Sequence, residues 1–420
     1  MSKKTILFRG PVKSLSGYGS HSRDLLKSLH DLDLFDIKID GSTWGNTPMN
    51  VLDTKNDMFH QWIENSIVTK LDEKPDIYIQ VTVPNEFKRM GKFNIGITAG
   101  IETTAAPKSW VDGCNRMDLV LTTSNFSKDV LLQTVYNETD KVTTKLVRQH
   151  KITTPIEILH EGVDLSVFYK KDSDFKLDIE EDFAYLFVGH WLKGDIGQDR
   201  KDIGMTIKCF CEAFKDGESR PALILKTSSA TFSVKQRELF REKIQSITRS
   251  YENPPSIYLL FGQLTDEEMN ELYNHPKIKS MVSITKGEGF GRPLLEFSMT
   301  GKPIIASNWS GHKDFLPIDK GILIGGKLTN VHSSASDDFI MTSSKWFTAN
   351  YDEFVEVLKI VYEKYDEFIE RSEDLMSMNI KNFSIEKVTN DFGNILKTMI
   401  KDEPKKVELN LPKLNKLENK

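Results

Sequence analysis

The sequence predicts an α/β protein built as two doubly wound domains that face each other across a cleft. Three observations lead there. Short apolar runs alternate with amphipathic helical stretches along most of the chain, the pattern of stacked βαβ units. At 420 residues the chain exceeds one ordinary core, so two domains of roughly 150–200 residues are expected. The alternation breaks at residues 169–182, where Asp and Lys crowd out apolar residues in the manner of a linker.

Taken in order, residues 5–8 form the first strand, residues 10–19 a loop carrying glycine and serine, and residues 20–29 its helix. Further strands are expected at 76–80, 94–97 and 119–122, a helix from 126 to about 135, and a closing strand at 157–159. The second series starts with a strand at 183–188 that ends at Gly189 and opens into a long polar loop. A helix at 205–214, a strand at 222–225, a helix at 234–249, a strand at 257–260 and a helix at 266–273 follow. Strands at 281–284 and 303–306 bracket a glycine-rich turn and a short helix. Long amphipathic helices are expected at 351–370 and 385–401, and residues 402–420, with prolines at 404 and 412, read as an extended or disordered tail.

Composition narrows the class. Hydrophobic content of 39% and charged content of 28% suit a soluble globular protein, and a net charge of −5 makes no global case for nucleic acid or anionic membrane. Three cysteines, Cys114, Cys209 and Cys211, cannot frame a disulfide scaffold. Cys209 and Cys211 lack metal spacing and sit in a helical pattern, so buried reduced thiols are expected. The start is too short for a signal peptide and no run reaches the ~18 apolar residues of a membrane span, so a cytoplasmic protein is expected. Asp31-Leu-Asp33 and Asp172-Ser-Asp174 match a metal-binding Asp-x-Asp in letters, but neither ends a buried strand, and no metal site is expected.

The chemistry concentrates in residues 286–303. Glu288 sits in the turn, Pro293 suits the first helical position because its missing N–H costs nothing there, and Glu296 is expected in the first turn. Gly289 and Gly291 let backbone approach closely, and the unpaired N–H groups of the helix start make a seat for an anion. Carboxylates on both sides of such a seat suit hydroxyls at the two ends of a diphosphate, which outlines a nucleotide-sugar site.

With these residues in view, the chain resembles the retaining GT-B glycosyltransferases, in particular family four. Gly287-Glu-Gly-Phe-Gly-x-Pro-x-x-Glu296 fits that family's Glu-x7-Glu signature, and Thr300-Gly-Lys-Pro-Ile-Ile-Ala306 its continuation. His160-Glu-Gly-Val-Asp-Leu-Ser-Val-Phe168, Thr123-Ser-Asn-Phe-Ser127 and Ser16-Gly-Tyr-Gly19 resemble three further family segments in the same order. The resemblance implies a GT-B fold of two Rossmann-like domains: residues 1–170 on the acceptor side, 171–384 on the donor side, and the helix 385–401 crossing back to the first domain. It implies that Glu288 binds hydroxyls of the transferred sugar and Glu296 the ribose. The N–H groups of Gly289, Phe290, Gly291 and Arg292 would take the diphosphate oxygens. Arg200 and Lys201, beyond Gly189, resemble the basic pair on the phosphates, and Gly17 and Gly19 the first glycine loop. In the first domain, where the family often has a His, the matching turn offers Glu102, while His160 reads as a strand-end hydrogen-bonding residue.

The implied reaction is sugar transfer with retention, needing charge stabilisation and positioning more than a strong base, with no cofactor beyond the donor substrate. The partners implied are a nucleotide-sugar donor and an acceptor glycan, lipid or hydroxylated DNA base. Acceptor contacts are expected from residues 41–57 and 100–112. Lys141, Lys145, Arg148 and Lys151 make a modest membrane-facing candidate, and the tail lysines a solvated arm. Three alternatives stay open: a phage-type enzyme glycosylating hydroxylated DNA bases, a nucleotide-sugar epimerase or phosphorylase, and a non-catalytic sugar-binding protein of the same fold.

Overall fold

The computed structural model describes residues 3–217, 220–229 and 232–399. In the first half, β1 (Lys4–Gly10), β2 (Phe35–Gly41), β3 (Ile77–Val81), β4 (Phe93–Thr98), β5 (Leu119–Thr122) and β8 (Ile156–Ile158) form one sheet. Its order is β2-β1-β3-β4-β5-β8, and every neighbouring pair is parallel. A parallel sheet is covered on both faces, and accordingly all five residues of β3 are buried. The helices of this half are α1 (Gly17–Leu32), α2 (Met58–Asn65), α3 (Lys108–Cys114) and α4 (Asn125–Gln133). An antiparallel hairpin of β6 (Tyr136–Thr139) and β7 (Leu146–His150) stands apart from the sheet.

The second sheet holds β9 (Ala184–His190), β10 (Ala222–Ser228), β11 (Ile257–Leu260), β12 (Ile278–Ser283), β13 (Ile304–Ser307) and β14 (Ile322–Ile324). Its order is β11-β10-β9-β12-β13-β14, again parallel throughout. Between these strands run α5 (Ile203–Phe214), α6 (Val234–Thr248), α7 (Asp266–Asn274) and α8 (Arg292–Ser298). A small antiparallel pair, β15 (Gly326–Asn330) and β16 (Lys345–Ala349), leads into α9 (Tyr351–Glu363), α10 (Ile369–Phe383) and α11 (Ile385–Met399). Val388, Phe392 and Leu396 of α11 pack into the first domain's core beside Leu25, Leu26 and Leu29 of α1. The segment 169–182 has no regular structure, yet the Tyr169 N–H bonds Asn270 and the Lys171 N–H bonds Asn274, which ties it to α7.

Several expectations change. The stretch 351–370 is not one helix: α9 ends at Lys364, whose φ of −125° and ψ of 34° leave the helical region, and a 3-10 turn at Tyr365–Phe368 leads into α10. Helix α1 begins at Gly17, three residues earlier than expected, because Ser16 caps it by accepting from the Gly19 N–H. Gly17 and Gly19 therefore belong to a helical first turn. A Cβ on Gly19 would lie 2.1 Å from the Ser14 carbonyl oxygen, so only glycine permits that approach. The expected loop 100–112 contains the start of α3. Lys141, Lys145 and Arg148, the modest membrane-facing candidate, ride on the β6–β7 hairpin. The three cysteines are free and buried, as expected. The last two residues of the helix expected at 385–401, and the tail 402–420, lie outside the described residues. Among the described residues no helix is long and apolar enough to cross a membrane.

Candidate functional site

In doubly wound sheets, ligands gather beyond the carboxyl ends of strands where the strand order reverses. The second sheet reverses between β9 and β12, and the two loops leaving these strands meet. The loop after β9 carries Arg200 and Lys201, and the loop after β12 carries Glu288. Lys201 Nζ pairs with Glu288 Oε1, with side-chain exposures of 12% and 10%. Arg200 donates across the cleft to Glu102 of the first domain at 2.8 Å. Burial alone pushes Glu288 up, but the Lys201 ammonium and Arg200 guanidinium outweigh it and hold the carboxyl below its usual range. Three segments thus meet in one cluster of two ion pairs, Glu102 with Arg200 and Glu288 with Lys201.

The glycines of the β12 loop serve the approach of the two domains. A Cβ on Gly287 would sit 2.1 Å from the Glu102 carbonyl oxygen, and one on Gly289 2.1 Å from that of Ala99. Ser124, the N-cap of α4, donates to the Gly289 carbonyl at 2.6 Å. Asp314 accepts from the Asn125 backbone N–H at 2.8 Å and lies 3.1 Å from His160 Nε2. Gly291 takes the left-handed φ of 99° and caps α8. Among the described residues, none of the N–H groups of Gly289, Phe290, Gly291 and Arg292 donates to a protein acceptor.

Helix α8 starts at Arg292, so Pro293 is its second residue and not its first. Glu296 therefore falls beyond the first turn, on the face below Arg292, and the two pair at 2.7 Å in i,i+4 spacing. Arg292 also pairs with Asp24 of α1, and Glu161 lies 3.9 Å away. Three carboxyls thus surround one guanidinium. Burial pushes Glu161 and Glu296 each up to about 7 against the pull of Arg292. His21, one turn before Asp24, is 2% exposed with neither ring nitrogen bonded. Burial, with Arg292, pushes it down to about 3, so the ring stays neutral.

Of the remaining expected residues, Gly189 is the next-to-last residue of β9, where its carbonyl accepts from Thr227, and its backbone lies beside the Lys201 stem. The Phe290 ring packs with Phe315 and Phe383 in the second domain's core, so only its backbone is free to face a ligand. Gly17 and Gly19 contribute backbone at the start of α1. Asp24, Glu161 and His21 were not anticipated. Glu161 stood inside the quoted 160–168 segment, whereas Asp24 and His21 look like ordinary polar positions of an amphipathic helix. Among the described residues no group of three or more His, Cys, Asp or Glu is placed to hold a metal ion.

No protein-family profile matches the chain, and a search of curated proteins finds no match. Solved structures do match over nearly the whole chain. A glycosyltransferase from Rickettsia africae is 14% identical with a TM-score of 0.59, covering 96% of this chain and 100% of its own. Sucrose-phosphate synthase from Thermosynechococcus elongatus is 12% identical with a TM-score of 0.62, covering 94% and 99%. Anabaena HepE, solved with UDP-glucose, is 11% identical with a TM-score of 0.55, covering 94% and 100%. At these identities the likeness is one of fold: two parallel-sheet α/β domains in the GT-B arrangement.

Proposed function

We propose that the protein is a retaining glycosyltransferase that moves a sugar from a nucleoside diphosphate sugar to an acceptor hydroxyl without a metal ion. The observation that carries this reading is the cluster of Arg200, Lys201, Glu288 and Glu102 at the strand-order reversal, beside the Arg292–Glu296 pair on the next helix. Two cations from one loop suit a diphosphate. Its arrival would displace Glu102 from Arg200 and release Glu288 from Lys201, freeing Glu288 for hydroxyls of the sugar. The N–H groups from Gly289 to Arg292 would complete the phosphate contacts, and Glu296 would take the ribose.

In the step itself the bond from the anomeric carbon to the phosphate oxygen breaks, and a bond from that carbon to the acceptor oxygen forms on the same face. The acceptor proton passes to the departing phosphate oxygen. Arg200 and Lys201 stabilise the charge growing on the diphosphate, where preorganised cations act most strongly. The GT-B neighbour HepE was solved with UDP-glucose, which makes UDP the first nucleotide to test.

The test is a thermal-shift screen against UDP-, GDP- and ADP-sugars, since a ligand that binds the native state raises its melting temperature. An NMR time course on the stabilising donor follows, with and without acceptor. Wild type is expected to yield a product with the donor's anomeric configuration, and Glu288→Gln to lose at least about 100-fold in rate while melting normally. A variant with near-normal rate overturns the site. Conversion of donor without acceptor identifies an epimerase instead, and salt-sensitive transfer to hydroxylated DNA settles the acceptor in favour of nucleic acid.

A further inference from the structure

Beneath the Arg200–Lys201 loop lies an ion pair that the proposed chemistry does not use. Lys286 and Asp202 have side-chain exposures of 1% and 0%, and Lys286 Nζ lies 3.0 Å from Asp202 Oδ2. The same carboxylate oxygen accepts from the Tyr351 hydroxyl at 2.8 Å, while Lys286 Nζ also reaches Thr348 Oγ1 at 3.4 Å. The Lys286 ammonium stands 5.7 Å from the centre of the Trp346 ring. Asp202 Oδ1 is buried without a partner.

Three features argue that this pair acts on the loop above it. First, Asp202 takes the left-handed conformation, φ 54° and ψ 37°, as the N-cap of α5, yet its side chain makes no capping bond. Asp usually occupies such a position for local hydrogen bonding, and here its carboxylate is turned to Lys286 instead. Second, the pair stands directly next to the reactive groups. Asp202 follows Lys201 in the chain, and Lys286 precedes Glu288 by two residues. Third, the two segments are joined by backbone as well: the Lys286 N–H donates to the Arg200 carbonyl at 2.8 Å, and Thr285 Oγ1 donates to the same oxygen at 3.2 Å. Asp199, 1% exposed, accepts from the Ile203 N–H at 3.2 Å and closes the turn that carries Arg200 and Lys201.

A buried ion pair is weak support for stability, because desolvation offsets the attraction and an apolar pair of similar volume often serves as well. In some proteins such a pair instead fixes register. We propose that Lys286 and Asp202 are positioning residues: their buried pair locks the loop bearing Arg200 and Lys201 against the segment bearing Glu288, so that both cations meet the donor's diphosphate preorganised. This rests on the reading of Arg200 and Lys201 as phosphate ligands. The locking of the loop is separable from that reading and is measurable without any ligand.

The experiment compares wild type with Lys286→Met/Asp202→Gly, in which Met replaces the Lys stem and Gly suits the left-handed turn, and with the milder Asp202→Asn. Ligand-free proteins are labelled with acetic anhydride and read by mass spectrometry at Lys201, with Lys208 on α5 as the internal reference. Loss of register is expected to raise labelling of Lys201 about tenfold in the double variant, and less in Asp202→Asn, because local opening exposes the amine. The melting temperature of the double variant is expected to stay near that of wild type. Calorimetry with inorganic pyrophosphate, the moiety shared by all nucleoside diphosphates, is expected to show affinity falling about tenfold in the double variant as preorganisation is lost. Unchanged Lys201 labelling in Asp202→Asn and in a folded double variant overturns the positioning role, whatever the ligand result. Absence of pyrophosphate binding by wild type overturns the phosphate-site reading instead, and the labelling still decides whether the loop is locked.

Discussion

Glu161 offers a test of the electrostatics at the cleft that needs no substrate. Its carboxyl is 7% exposed, and burial lifts it from the usual 4.5 to about 7, with Asp24, Glu296 and Glu288 adding to the rise and Arg292 opposing it. A carboxyl lifted on folding binds its proton more tightly in the native state. The contribution of Glu161 to native stability is therefore greatest at low pH and declines as pH climbs from about 4.5 through about 7. At about 1.4 kcal/mol per pH unit, the full loss from Glu161 is about 3 kcal/mol above pH 7. Glu161→Gln keeps the shape and the neutral state, so it removes this decline. In denaturant titrations followed by circular dichroism, the variant is expected to exceed wild type by up to about 3 kcal/mol at pH 8 and to lie within about 1 kcal/mol of it at pH 5. Glu296, lifted to the same range, remains, so the variant still loses some stability with pH. Parallel curves for the two proteins from pH 5 to 8 would mean that folding does not lift the Glu161 carboxyl.

Two further outcomes follow from the same geometry. Glu296→Ala is expected to raise the donor KM roughly tenfold and to lower kcat less, as loss of a contact made equally in ground and transition states requires; steady-state kinetics check this, and the reverse pattern counts against a ribose contact. Gly289→Ala places a Cβ 2.1 Å from the Ala99 carbonyl oxygen, a clash expected to push the domains apart. Small-angle scattering is expected to show a larger radius of gyration for that variant, and an unchanged radius would mean that the loop yields instead.

The fold was largely legible because its central strands are continuous apolar runs, such as Leu119–Thr122 and Ile304–Ser307, that only a doubly covered sheet can bury. What escaped were elements whose patterns are diluted by position. In β2, Phe35, Ile37 and Ile39 alternate with Asp36, Lys38 and Asp40, as suits a sheet edge and weakens the signal of a buried strand. The hairpin 136–150 is mostly exposed, so it has no apolar signature to read. At the cleft, the carboxylates and cations sitting in glycine-rich segments stood out, and the structure brings Glu288, Lys201, Arg200 and Glu102 together. Asp24 could not be read, because its partner Arg292 lies 268 positions away and nothing local distinguishes it from a solvent-facing helix residue. Lys286 was hidden for the opposite reason: it looks like a surface lysine, and only the fold reveals that Asp202 and Trp346 enclose it.

The bond from Ser124 to the Gly289 carbonyl has a consequence on the far side of the same peptide plane. The unit is trans and planar, so fixing the carbonyl toward the first domain fixes the Phe290 N–H in the opposite direction. Accepting a proton at the oxygen also polarises the amide and makes its N–H a stronger donor. The meeting of the two domains is thereby written into the dipole of a single amide in the second. When Ser124 withdraws, that N–H loses both its heading and part of its strength, so the meeting of the domains tunes this donor through one peptide bond.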